Sequence, residues 1–466
     1  MKFLKKKEVL IIDLLETLLE TSTTKGAEYV GIRSGIINEK RISALNGVIK
    51  KEINSVDTGY GIRILSDGIT SFTSVPDIKY APKEVEKAIR ASSMLSNWKR
   101  GTSSLSTSAK SEANIKVKPK ISWEDLTKQD FDAYISELFS YVSDKINVPA
   151  KIELDLLFFN WSERFINNEG SRVFKEYPYS ILTLTGRANK NNQVVKFYKN
   201  YGGLGGLEIL PFQNLEQTNE FIEVINNLPT AKSAKNGNYK VVLCEDFAWT
   251  CIHEVLGHSL EADNVLAGRS FTAGLLGMKI APSIVTVIDD PYIETVGFYE
   301  YDSEGTKGKG TLLVEEGIHT DFLHSRETAA AMDAESSANY KAFSFEHLPQ
   351  VRMSNIFFSP KDFSFEELLE KTKNGLYVGD GLGGSAETQT GAFNLNAQYG
   401  RLIENGELGE YFLQLQVSGN MLDTLTKITG IGNQLLAQPG SCVKNNQRIF
   451  VGSVSPKISV SEMRVS

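Results

Sequence analysis

The sequence predicts an α+β fold in two domains: an N-terminal mixed α/β domain of hairpins and helices over residues 1–228, and a C-terminal strand-rich, barrel-like domain over 229–466. Three observations carry this expectation. Helix-period apolar stripes alternate with β-hairpin signals through the first half. Glycine and short β-type runs concentrate in the second. Between them a helical pattern stops at Leu228-Pro229, and residues 230–238 are polar and turn-forming, as a domain boundary requires. At 466 residues each half is long enough to bury its own core.

In chain order, a first helix is expected over about 8–20, with Leu10, Leu14, Leu15, Leu18 and Leu19 on one side. Asn46-Gly47 and Asp67-Gly68 then mark two hairpins, because both dipeptides accept the positive φ of tight hairpin turns. A helix follows Pro82 and runs to about Ser96. The Ser/Thr-rich stretch over about 101–115 has little to bury and reads as an exposed, mobile loop. Phe131, Tyr134, Ile135, Leu138, Phe139, Val142 and Ile146 recur at helical spacing and define a core-facing helix. Strands are expected over 151–160, 177–187 and 193–201, with a turn over 189–192 and another in the Gly202–Gly206 cluster, followed by a helix over 214–227.

The second half opens with a strand over 239–243 and a helix carrying Cys251-Ile-His-Glu-Val-Leu-Gly-His258, then strands over 283–288, 310–315 and 398–403, the last turning at Asn405-Gly406. The run Tyr377-Val-Gly-Asp-Gly-Leu-Gly-Gly384 is too glycine-rich for a strand interior and marks a bulge or a place where another chain approaches the backbone.

Composition narrows the class of function. Fifty basic against 57 acidic side chains give a net charge of −7, which argues against direct nucleic-acid binding. Three cysteines, Cys244, Cys251 and Cys442, are too few for a secreted disulfide framework and fit a reducing, cytoplasmic location. The basic start Met1-Lys-Phe-Leu-Lys-Lys-Lys7 is followed by Glu8, Asp13, Glu16 and Glu20, so it reads as an amphipathic helix rather than a signal peptide. No apolar run is long enough to span a membrane.

Two of only five histidines fall in the 251–258 run. His253 and His258 with Glu254 between them suit a divalent metal with an adjacent general base, the equipment of a peptidase. The usual zinc-peptidase pattern spaces its histidines four apart. Here the spacing is five, which on an ideal helix leaves the rings roughly 140° apart instead of roughly 40°. Convergence therefore requires a wide turn near Gly257, of the kind a π-bulge supplies. The spacing alone equally fits two unrelated helix histidines.

His253-Glu-Val-Leu-Gly-His258-Ser-Leu-Glu261-Ala-Asp263, Arg352-Met-Ser-Asn355, Gly375-Leu-Tyr-Val, Ser418-Gly-Asn-Met421 and Gly440-Ser-Cys442-Val-Lys444-Asn-Asn-Gln447 occur in this order. Together they resemble the TldD/PmbA family, often called modulators of DNA gyrase, over nearly the whole chain. The resemblance is to the TldD-like subunit, which carries H-E-x-x-x-H where the PmbA-like (TldE) subunit lacks it. It implies zinc held by His253, His258 and Cys442, zinc-bound water activated by Glu254, short or unfolded peptides as substrate, and a heterodimer with a PmbA/TldE-like subunit or a homodimer. Two imidazoles and a thiolate leave one position open, as catalytic zinc requires. Glu261 and Asp263 are candidates to orient a ligating imidazole and equally fit solvated helix-end carboxylates. The oxyanion donor is unassigned, with His324 and His347 as candidates. An exposed strand edge near Gly381 is where an extended peptide would add by β-augmentation.

Two rival readings are open. His253-Glu-Val-Leu-Gly-His258 nearly matches the HELLGH string of certain dipeptidyl peptidases, which take a downstream glutamate; here that would come from Glu315-Glu316-Gly317. A non-catalytic adaptor that binds gyrase or an antitoxin, with zinc holding its fold, is the other.

Overall fold

The computed structural model describes residues 2–96, 103–190 and 193–466, with backbone alone for 2–10, 190 and 193. Its first half is a seven-stranded sheet in the order Ile69–Val75, Val48–Ser66, Tyr29–Leu45, Ala150–Asn167, Arg172–Lys190, Glu112–Lys116, with Gln193–Leu204 also paired to Arg172–Lys190. Both expected hairpins form. Asn46 and Gly47 adopt φ of 49° and 75°, Asp67 and Gly68 of 50° and 66°, the left-handed pair such turns demand.

The strands are longer than the sequence predicts. Tyr29–Leu45 pairs with Ala150–Asn167 from Gly31 opposite Asn167 to Leu45 opposite Glu153, well past the stretch where apolar alternation is legible. Helix Lys128–Lys145 opens on a capping box between Thr127 and Asp130 and buries Phe131, Ile135, Leu138 and Val142, the predicted stripe. Helices Lys2–Thr24 and Ala81–Ser96 form a second core with Ile32, Ile62 and Ile64; Leu15, Leu18 and Leu19 are buried there, whereas Leu14 faces outward.

Several expectations are corrected. Of the 101–115 segment, 101 and 102 lie outside the described residues. Residues 103–111 are irregular but pinned: Ser103 N donates to Gly68 O, Ser106 N to Arg326 O, and Arg326 Nε to Ser106 O. Glu112–Lys116 is a strand parallel to Arg172–Lys190, a partner no local signal announces. Residues 191 and 192 of the expected 189–192 turn also lie outside the described residues. Gly202 and Gly203 are inside a strand, not a turn, opposite Ile181 and Ser180; a Cβ on Gly202 would sit 1.9 Å from Ser180 O. The 214–227 helix begins as a 3-10 turn over Leu215–Thr218 before Asn219–Asn227. The 283–288 strand is reduced to Val287–Asp289, and the 398–403 strand is Gly400–Glu404.

The second half is strand-rich, built on a nine-stranded sheet with Gly237–Leu243 near its middle. Its pairing path runs from Gly381–Ala386 at one edge to Glu407–Phe412 at the other, so among the described residues it stays open rather than closing as a barrel. The glycine-rich run is more strand-like than expected: Gly375–Val378 and Gly381–Ala386 both pair, with the anticipated bulge between Gly381 and Gly383. One hydrophobic cluster joins the halves, from Ile42 and Leu154 through Leu243 and Phe247 to Val465.

Candidate active site

The central strand Gly237–Leu243 delivers the chain to Cys244, whose thiol caps the next helix by accepting Phe247 N at 3.3 Å. Helix Glu245–Cys251 then widens into a π-helix over Ile252–Gly257. This is the wide turn that the five-residue spacing demands. The His253 and His258 rings lie 5.1 Å apart at 80°. Gly257 has a different role from the one its position suggests. Its φ is not positive, and a Cβ there would lie 2.1 Å from Met353 Sδ, so close packing of Met353 requires the glycine rather than backbone distortion.

Cys442 comes from the antiparallel hairpin of Leu436–Lys444 and Gln447–Ser455, turned by Asn445 and Asn446, both with positive φ. Gly440 lets that hairpin lie against the helix, since a Cβ there would meet the Trp249 ring at 2.9 Å. The nitrogens of His253 and His258 and the sulfur of Cys442 all lie within 4.8 Å of one another, the one such cluster of metal-ligating types among the described residues. Cys442 Sγ is 3.1 Å from His258 Nε2.

His253 is wholly buried, and neither ring nitrogen has a hydrogen-bond partner among the described residues. An imidazole buried with both nitrogens unsatisfied is costly. Its placement beside a second imidazole and a thiol is the donor set zinc takes, so these residues fit the ion.

Burial pushes the Cys442 thiol up, but His253 and His258 beside it hold it well below the usual thiol range. Burial likewise opposes a charge on His258, yet Glu261 and Cys442 hold its imidazole well above the ordinary value. Glu261 is held down to about 2 despite its burial, chiefly by His258 and Lys444. Glu254 follows His253 on the π-helix and is half-buried rather than sealed from solvent.

Glu261 Oε2 meets His258 Nδ1 at 2.9 Å, so the carboxylate sits where it fixes the ring with Nε2 toward Cys442. Asp263 is one link further out: it bonds Lys444 Nζ at 2.7 Å and not the imidazole. Sequence reasoning assigned no role to Lys444 or Asn264. Lys444 Nζ also donates to Glu261 Oε2 at 2.9 Å and to Val351 O at 3.0 Å; Asn264 Nδ2 donates to Glu261 Oε2 and His258 O. Lys444 stands two residues from Cys442, on the same face of its strand, a signal available once a strand is assumed there.

The other candidates lie elsewhere. His324 is engaged by Thr328 and His347 by Ser344. Glu315 and Glu316 are exposed on a hairpin turn, outside the ligand cluster. Cys244 and Cys251 are buried free thiols, with Cys251 pushed up by desolvation alone. The edge strand Gly381–Ala386 packs against helix Glu245–Cys251 and the π-helix, and Gly381 N is held by Asp246 Oδ2 at 2.9 Å.

A family described as the PmbA/TldA metallopeptidase C-terminal domain matches residues 236–466. A metalloprotease of Methanothermobacter thermautotrophicus is 31% identical over 94% of this chain and 95% of its own. A zinc metalloprotease TldD homolog of Saccharolobus solfataricus is 30% identical over 52% of this chain and 54% of its own. Among solved structures, TldE from Thermococcus kodakarensis superimposes with a TM-score of 0.79 at 16% identity, covering 97% of this chain and 100% of that one, a likeness of fold.

Proposed function

Because this chain belongs to the PmbA/TldD family, in which its relatives are metalloproteases, we propose that it is a zinc-dependent peptidase of short or unfolded peptides. The observation that carries the reading is the convergence of His253, His258 and Cys442 within 4.8 Å, with both nitrogens of His253 otherwise unspent. The name of the Saccharolobus solfataricus relative supports zinc as the ion, as does the pairing of a thiolate with two imidazoles.

His253, His258 and Cys442 would hold zinc, which when bound would supply a Lewis acid for the peptide carbonyl and for water. Glu254, next to a ligand and open to solvent on one side, takes the proton from the attacking water and returns it to the leaving amine. Glu261, bonded to His258 Nδ1, would hold that ring in the tautomer that leaves Nε2 free as a ligand. The strand Gly381–Ala386 beside the π-helix is a sheet edge, engaged at Gly381 N by Asp246, and along the rest of it an extended peptide adds with little regard to its side chains.

A TldE-like subunit is the proposed partner, with self-pairing as the alternative; the fold shared with TldE supports the first. Three free thiols fit a cytoplasmic setting, and among the described residues no helix is long and apolar enough to cross a membrane.

The test is metal analysis of the purified protein with digestion of an unstructured peptide, with and without a chelator, alongside Glu254→Gln. Stoichiometric zinc, chelator-sensitive cleavage and a variant that keeps zinc but loses turnover are expected. Zinc without any cleavage, in the chain alone or with a TldE-like subunit, would favour an adaptor.

A further inference from the structure

The cluster around His258 holds a buried cation with no role in binding metal or moving protons. Lys444 is under a tenth exposed and its ammonium makes four polar contacts: Glu261 Oε2 at 2.9 Å, both oxygens of Asp263 at 2.7 Å and Val351 O at 3.0 Å. A lysine carries three N–H donors, so this ammonium is saturated by the protein. The ammonium is therefore not free to serve a substrate.

The position of Lys444 in the chain gives the cluster its meaning. It stands two residues after Cys442 on a strand of regular register, Cys442 opposite Ile449 and Lys444 opposite Gln447, so both side chains leave the same face. Its partner Glu261 comes from the segment after the π-helix and grips His258 Nδ1 at 2.9 Å. The hairpin thus touches the histidine-bearing segment twice. One contact is Cys442 Sγ with His258 Nε2, and the other is Lys444 with the carboxylate on the far side of the same ring. Asn264 Nδ2 donates to the same Glu261 oxygen, while Glu261 Oε1 is buried without a partner among the described residues, so the bonds that fix the carboxylate there run through a single oxygen.

We propose that Lys444 is a positioning residue of the metal centre. Resting on the zinc reading above, this assigns it the task of anchoring Glu261, so that His258 presents Nε2 to the same point as Cys442. It does so by tying the cysteine's strand to the histidine's carboxylate. Buried charges of this kind hold one geometry because each would be stranded if its partner moved. Asp263 completes the neutralisation of an ammonium that would otherwise face one carboxylate alone.

The test compares Lys444→Met, Lys444→Arg, Glu261→Gln and the Lys444→Met/Glu261→Gln pair with the wild type, each verified as folded by circular dichroism. Zinc affinity is measured by competition with a chromophoric chelator, and coordination geometry by the visible spectrum of the cobalt-substituted protein. Lys444→Met should bind zinc about 10- to 100-fold more weakly, the range for loss of a partner that orients a ligand, with altered cobalt bands. Adding Glu261→Gln should cost little more, because both act through one ring. Lys444→Arg keeps the charge and should recover most of the loss. Asp263→Asn, three hydrogen bonds from the imidazole through Lys444 and Glu261, should have a smaller effect and serves where Lys444→Met does not fold. Zinc affinity and cobalt bands unchanged in Lys444→Met, or fully additive losses in the pair, would overturn the assignment while leaving the zinc reading standing. A wild type that binds no zinc would remove the zinc reading, and this one with it.

Discussion

Cys442 Sγ lies 3.1 Å from His258 Nε2 although 184 residues separate them, and Glu261 grips the same ring from its other nitrogen at 2.9 Å. A histidine held between a sulfur and a carboxylate is a ring with one orientation. The sulfur is what distinguishes the proposed centre from a two-histidine, one-glutamate site, since Glu315 and Glu316 are exposed on a hairpin turn outside the cluster. Cys442→Ala should therefore lower zinc affinity by at least about a hundredfold, more than loss of an outer partner does, and peptide cleavage should fall with it. Zinc content and activity that survive the change would send the search back to a carboxylate ligand.

Glu254 sits beside His253 without belonging to the ligand cluster. Its replacement by glutamine should leave zinc stoichiometry unchanged and reduce kcat by about 10²- to 10⁴-fold, the usual worth of a positioned acid–base group. Steady-state kinetics with metal analysis on the same sample separate the two effects. A loss of metal in parallel with activity would mean that Glu254 is part of the ion's cage.

Gly257 is where the π-helix meets Met353. Gly257→Ala places a methyl 2.1 Å from Met353 Sδ in a core where Met353 is 1% exposed, so the sulfur must shift. Overpacking of this kind costs about 1–3 kcal/mol. Because His258 is the next residue, zinc affinity should fall as well. Truncating the facing side chain in Gly257→Ala/Met353→Ala should recover part of both losses. Additive losses in denaturant melts of the pair would show that the alanine acts on the backbone and not on the sulfur.

The edge strand predicts a backbone signature in the substrate. A peptide that pairs with Gly381–Ala386 spends alternate N–H groups on the sheet. Moving a single N-methyl group along a cleaved peptide should raise KM with a period of two residues and leave kcat comparatively unchanged at sites away from the scissile bond. A flat profile, or sensitivity at one side chain only, would remove the edge strand from substrate binding.

What the sequence disclosed follows the range of the interactions involved. Asn46-Gly47 and Asp67-Gly68 are local instructions, and both hairpins are present. The five-residue gap between His253 and His258 is also local, and it implies a wide turn once both rings are taken to share one ion; the π-helix over Ile252–Gly257 is such a turn. Strand lengths were not legible, because the outer ends of Tyr29–Leu45 and Ala150–Asn167 stabilise each other across more than a hundred residues without an apolar pattern of their own. Glu112–Lys116 was hidden for the same reason: its parallel partner is Arg172–Lys190. Nothing around Cys442 marks it as different from Cys244 or Cys251, so family resemblance alone singled it out. Lys444 belongs to the Gly440–Gln447 motif but shows no role in the sequence, since its partners Glu261 and Asp263 meet it only in the folded chain.

Lys341 supplies a prediction read from stability alone. Its ammonium lies over the Tyr299 ring, 4.8 Å from the centroid, and donates to Met353 O at 3.4 Å. Burial pushes its pKa down to about 7, with Asp289 opposing the shift and Arg352 adding to it. Between about pH 7 and the ordinary lysine value the unfolded chain therefore binds a proton that the folded chain does not, so stability rises with pH across that window. Below about pH 7 both states are protonated, and the fold carries the penalty of a partly buried charge that faces no carboxylate in direct contact among the described residues. Lys341→Met should be more stable than the wild type at pH 6, with the gap closing as pH rises toward 10. The wild type should show the steeper slope in that window, by at most about 1.4 kcal/mol per pH unit. Chemical denaturation of both proteins at pH 6, 7, 8 and 9 measures the difference directly, and parallel stability curves would show that the Lys341 ammonium keeps its solution proton affinity inside the fold.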